Sequence, residues 1–280
     1  MDKLSTVFTT PIGLELFGLD KIVNYLKDRQ IFTKARGLVT GLFSGFKSNS
    51  IKIESKLDVK LHGWLERESY LVLEHVEVYI PRNMSVPYTQ YQSVLLKIAS
   101  ELATSRKVLL SQAIATFGYY INSPASLRAH SIRPGDVIGS ALPPKANKWL
   151  TDAAAQMSTC LSPAQLMDTT PFTKAFQRNG EVAEVTQVAH ELYSTVVLAQ
   201  ATPIEDEAMQ LMDLAEKLFD MIKNDPLYQT VSKPVMDDLV HRLQCAAEWT
   251  EFYATYAHQL QQMAVAISDT VAKLTKIAKS

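Results

Sequence analysis

The chain has 280 residues, of which 47% are hydrophobic and 20% charged, with a formal net charge of -1. That length permits one large domain or two, with a core that needs no disulfide or metal staple. Near-neutral charge excludes a global polyanion-binding signal, and the apolar content excludes long disorder.

The N-terminal residues show no basic stretch running into an apolar one, so no signal peptide is expected and synthesis is expected in cytoplasm. Thr10-Pro11 pairs a side-chain cap with proline at the first helical position, and Ile12, Leu16, Leu19, Val23 and Leu26 give residues 11–28 a helical period. A basic segment follows, with Arg29, Lys34, Arg36, Lys47 and Lys52 and no acid before Glu54. Gly37, Gly41 and Gly45 lie four apart within it. The segment reads as a glycine-rich link, because each glycine weakens a helix interior by about 1 kcal/mol. Its alternative is a helix whose glycines form a groove at a membrane surface or for nucleic acid. The five cations are the candidate contacts.

Ile51, Ile53, Ser55, Leu57, Val59 and Leu61 alternate with charged residues, and Val76-Glu77-Val78-Tyr79-Ile80 alternates again up to Pro81. Period two predicts strands, and hence a small β-hairpin-like element near 51–80, with a helix carrying Ile53, Leu57, Leu61 and Trp64 as the alternative for the first stretch. A long helix is predicted over 87–122. Its uncharged stretch from Val108 is diluted by Ser111, Gln112, Thr116 and Asn122, which argues for a core helix and against a membrane span. Residues 131–144 are rich in turn formers and mark a boundary between an N-terminal α+β part (1–135) and a C-terminal helical bundle (145–280).

In the second part a helix is predicted at about 145–160. Ser162-Pro163, Thr170-Pro171 and Thr202-Pro203 repeat the cap-proline signature. Helices are predicted over 181–200 (Val182, Val185, Ala189, Leu192, Val196) and 203–223, where ten acids from Glu181 to Asp225 face only Lys217 and Lys223. The acidic stretch and the basic segment read as solvated faces or as surfaces that mate between copies. From Leu239 to Ala278 apolar residues recur in steps of four and three, broken only by Thr250. A helix from Pro234 onward would be about 65–70 Å long. Its repeat of 3.5 predicts one narrow seam facing another helix. The first half is expected to pack internally. Leu260, Ala264, Ile267, Val271 and Leu274 are the candidate protein interface.

No GxGxxG, P-loop or nucleophile elbow occurs, and His190-Glu191 lacks the second histidine of a zincin helix. The six histidines form no close ligand pairs, and Cys160 and Cys245 show no CxxC spacing. No catalytic residue, cofactor or metal is predicted.

The phrase Leu73-Glu74-His75-Val76-Glu77-Val78-Tyr79-Ile80-Pro81, then Val86-Pro87-Tyr88-Thr89-Gln90-Tyr91 and the helix running to Ile121-Asn122-Ser123-Pro124, resembles virion structural proteins of large tailed bacteriophages. There an extended phrase leads into a long helix that ends near Asn-Pro. The resemblance implies a non-catalytic component of a phage particle, made in host cytoplasm and assembled with other virion chains. No functional residue follows from it. The sequence therefore predicts a mainly α protein, a multi-helix bundle with a long C-terminal helix and a small β element (α+β overall). Its expected role is oligomeric assembly through helix contacts, with nucleic-acid or membrane-surface binding by segment 29–52 as the alternative.

Overall fold

A computed structural model describes residues 4–8, 29–46, 73–81, 87–125, 152, 155, 167–178, 180–228, 231 and 233–279. The fold is mainly α, with a long C-terminal helix and a two-stranded antiparallel sheet. The elements are α1 (Leu4–Val7), α2 (Arg29–Phe43), β1 (Glu77–Pro81), α3 (Tyr88–Arg106), α4 (Gln112–Asn122), β2 (Met167–Pro171), α5 (Phe172–Ala175), α6 (Glu181–Leu192), α7 (Ala201–Asn224) and α8 (Lys233–Lys279). Two π-turns, Lys107–Ser111 and Tyr193–Leu198, follow α3 and α6. The predicted helices at 11–28 and 145–160 and the alternating stretch at 51–61 lie outside the described residues, apart from two helical positions at 152 and 155.

The chain divides into two compact units. The first takes Met1–Phe43, Leu102–Leu150 and Thr202–Tyr253; the second takes Ser44–Glu101, Thr151–Ala201 and Ala254–Ser280. Each draws on both sides of the turn-rich 131–144 connection, which itself lies outside the described residues. Packing groups the chain differently from its linear order.

The first unit is organised by rings. Phe8, Phe32, Phe219 and Phe117 form a chain with centroid separations of 5.9, 6.3 and 6.0 Å. Trp249 stacks on Tyr253 at 5.6 Å, and Tyr253 on Phe43 at 6.1 Å. The sequence supplies these contacts by spacing. Phe32, Ala35, Val39 and Phe43 recur along one side of α2 and are all buried. Ile204, Ala208, Leu211, Ala215, Leu218 and Ile222 do the same on α7. Burial of that apolar face forms α2 despite Gly37 and Gly41, so the segment read as a glycine-rich link is a helix through Phe43. Helix α7 stops before Pro226. The Asp225 carboxylate accepts the Leu227 N–H at 2.9 Å, and the turn carries Tyr228 inward. The Tyr228 hydroxyl donates to the Ile121 carbonyl at 2.8 Å, satisfying one of the open carbonyls at the end of α4.

The second unit contains the sheet. Val78 and Ile80 point into the core while Glu77 is exposed, as period two requires. The predicted strand at 76–80 forms, and its partner among the described residues is β2, with Val78 opposite Thr170 and Tyr79 opposite Thr169. This pairing changes one cap. Thr170 belongs to the strand, so α5 begins at Phe172 behind Pro171, which stands at an extended φ -54°, ψ 140° with no side-chain cap bond. Likewise α7 starts at Ala201, one residue before the predicted Thr202 cap. Tyr88 stacks on Phe176 at 5.1 Å, and Phe176 on Phe172 at 5.1 Å.

The π-turn after α6 shifts a helix face. Sequence spacing placed Val196 inward after Leu192, but Val197 is buried and Val196 is half-buried. The buried residues here are Leu192, Tyr193 and Val197, and the segment Tyr193–Leu198 takes the wider π-turn.

Candidate functional site

The basic segment meets the acidic helix within one chain. Lys34 is exposed on α2. Arg36 lies one turn in, where its Nε donates to Asp213 Oδ1 at 2.9 Å and its Nη2 lies 2.8 Å from the same oxygen. The Nη2 group also pairs with Glu216 Oε2. The bond to Glu216 above all, with help from Asp213, holds the guanidinium more firmly protonated than an ordinary arginine. Surfaces expected to be solvated, or to mate between copies, are here joined internally. Arg29 opens α2, and Lys47 and Lys52 lie outside the described residues.

An open depression of about 630 Å³ borders this pairing, lined by Arg36, Asp213, Glu216, Asp220 and Asp225 among others. Its guanidinium already faces two carboxylates, and with Lys217 as the other lining cation beside four carboxylates the depression carries more negative than positive charge. Arg106 repeats the arrangement: its Nε and Nη2 grip both oxygens of Glu207 at 3.0 and 2.7 Å.

The candidate interface on α8 is internal. Leu260, Ala264, Ile267, Val271 and Leu274 are each 2% exposed or less in the single chain. The seam is buried from Leu239 through Leu274, and Thr250, its one polar member, donates its hydroxyl to the Ala246 carbonyl at 2.8 Å. These five residues are therefore covered without a second copy. A narrow 3.5-residue seam also understates the burial. Met236, Arg242, Trp249, Tyr256, Met263 and Thr270 lie off the seam and are buried too, so α8 is enclosed on more than one side. Counting polar residues as interruptions hid that second row, because Arg242 and Thr270 belong to it.

Polar groups along α8 reach backbone and side-chain atoms elsewhere. The Tyr256 hydroxyl donates to the Leu95 carbonyl at 2.7 Å. The Trp249 Nε1–H donates to Ser105 Oγ at 2.8 Å, and the Gln244 amide to the Phe8 carbonyl at 2.9 Å. The Tyr79 N–H donates to Thr270 Oγ1 at 3.1 Å, and the same hydroxyl donates to the Tyr79 carbonyl at 3.3 Å. The Lys273 ammonium reaches the Glu77 carbonyl. No single-residue signal in the sequence marks these ties, because each depends on which backbone lies opposite.

One pair has the outline of a reactive site. Cys245 Sγ lies 3.7 Å from His241 Nε2, one turn away on α8. Burial, with a contribution from Glu248, pushes the Cys245 thiol up to about 12, so it stays protonated at neutral pH. That is the opposite of an activated nucleophile, whose thiolate is stabilised. Among the described residues no group of three or more His, Cys, Asp or Glu is placed to hold a metal ion. No described helix is long and apolar enough to cross a membrane.

Comparison with known proteins returns no match: no protein family, no curated protein and no solved structure.

Proposed function

We propose that the chain is a non-enzymatic structural protein that acts through protein–protein contacts as a component of a bacteriophage particle. The observation that supports the structural role is α8, a helix of 47 residues whose seam is buried along its length. Its polar side chains bond strand and helix backbones, which is work suited to a scaffold. The particle assignment draws on the resemblance of residues 73–124, in which an extended phrase precedes a long helix; here β1 precedes α3, and α4 ends at Asn122. Partners would be other virion chains or further copies, and synthesis would be in host cytoplasm.

With the α8 seam covered by its own chain, contacts with neighbours would use the outer surface. Leu96 and Leu227 are 47% and 49% exposed and are the first apolar positions to test. Arg36 would serve a nucleic-acid or membrane role of the basic segment only by leaving two carboxylates that already neutralise it.

Two measurements test the reading. Light scattering on the full chain should give an oligomer whose mass falls when Leu96 or Leu227 is replaced by Glu. Mass spectrometry of purified phage particles should find the chain in fixed stoichiometry with other virion proteins. A monomer at every concentration would remove self-association. Absence from particles, with abundance in the infected cell, would remove the virion role.

A further inference from the structure

A two-stranded sheet has two outer edges, and each can template another strand. On β1 the Tyr79 N–H and carbonyl face away from β2, towards α8. One Thr270 hydroxyl accepts from the first and donates to the second, as a residue of an adjoining strand would. The Tyr88 hydroxyl adds a second bond to the Tyr79 carbonyl at 2.7 Å. The Lys273 ammonium occupies the Glu77 carbonyl, two residues along the same edge, and sits 5.8 Å from the Tyr79 ring centroid. Side chains thus occupy the Tyr79 N–H, the Tyr79 carbonyl and the Glu77 carbonyl, positions that a third strand would use.

We propose that the last turns of α8 act as a strap that keeps the outer edge of β1 from pairing with β1 of a second copy. The occupant excluded is specific because β1 suits itself. Antiparallel pairing centred on Tyr79 sets Val78 against Ile80 and Glu77 against Pro81, so apolar side chains meet and like charges do not. Pro81 lacks an N–H, which limits the ladder to a short register around Tyr79. The inference stands whether or not the chain belongs to a phage particle.

The test is the full chain carrying Thr270→Val with Lys273→Met. Both changes keep side-chain volume and remove the edge contacts. The expected result is a mass twice that of the unaltered chain at high concentration, with the Tyr79 amide protected from hydrogen exchange only in the larger species. Thr270→Ser keeps the hydroxyl and should retain the original mass. A folded double variant of unchanged mass at every concentration would overturn the proposal. So would a larger species in which the Tyr79 amide exchanges freely, because the contact would then lie elsewhere. If the double variant loses its helical circular dichroism, Thr270→Val alone is read by the same two measurements.

Discussion

The two units join their elements by a different balance of chemistry. In the first, ion pairs connect helices: Arg36 on α2 with Asp213 and Glu216 on α7, and Arg106 on α3 with Glu207 on α7. In the second, the ties named above run to backbone carbonyls and are mostly neutral: Tyr88 to Tyr79, Tyr256 to Leu95, and Gln92 to Val185 at 2.6 Å, with the Lys273 ammonium on Glu77 as the charged one. An ion pair is strengthened by exclusion of water and weakened by salt. A hydroxyl–carbonyl bond is smaller and nearly indifferent to salt. Two regions of similar helical content should therefore respond differently to the same change of solvent.

Breaking the aromatic core of the first unit should have the largest effect. Trp249→Ala removes a ring stacked on Tyr253 and a bond to Ser105, and should cost about 3–5 kcal/mol in urea denaturation. A loss under about 1 kcal/mol would mean that the aromatic stack does not hold the first unit together. Next comes Arg106→Met, expected to cost about 1–2 kcal/mol because it leaves Glu207 half-buried without its fork. The loss should shrink in 1 M salt, where charges are screened within about 3 Å. Tyr256→Phe in the second unit should cost roughly 0.5–1.5 kcal/mol, and the same amount at low and high salt. Equal salt dependence of these two variants would erase the contrast between the units.

The smallest effect concerns pH. Burial and the neighbouring Glu251 raise the Glu248 carboxyl above its ordinary value of 4.5, while His241 opposes them. The native state therefore holds that proton more tightly than the unfolded chain, and its share of stability falls as pH rises through the raised value. The penalty is fully present above that value and absent below 4.5. Glu248→Gln should raise the melting temperature slightly at pH 7 and leave it unchanged at pH 4, as followed by circular dichroism. A lower melting temperature at pH 7 would show that the ionised carboxylate makes a favourable contact.

Most helices could be read from residue spacing because their apolar faces repeat at helical period, as in α7 and α8. Strand β1 was legible for the same reason at period two. Its partner was not, since Met167-Asp168-Thr169-Thr170-Pro171 has no alternation of its own and Thr170-Pro171 imitates a helix cap. The glycines misled in a different way. Their penalty is real, but the burial of Phe32, Val39 and Phe43 outweighs it at about 1.5–3 kcal/mol per large side chain. Around any Cβ added at Gly37 or Gly41 there is open space, whereas one at Gly45 would lie 3.2 Å from the His258 ring. Of the candidate site, charge runs revealed which segments were basic and acidic but not that Arg36 would find Asp213, 177 residues away. The α8 seam was visible as a periodicity, and periodicity alone does not say whether the covering surface belongs to the same chain.

The π-turn at Tyr193–Leu198 has a consequence for how this chain can change length. Insertions and deletions normally fall in loops, because one added residue rotates everything beyond it on a helix by about 100°. Here the π-turn already holds one residue more than an α-turn would. Deleting Val196 would return the segment to α-helical winding, with the buried Tyr193 and Val197 then three apart, still on one face. A shorter relative would therefore be expected to lose its residue at this point inside a helix, with both flanking faces intact.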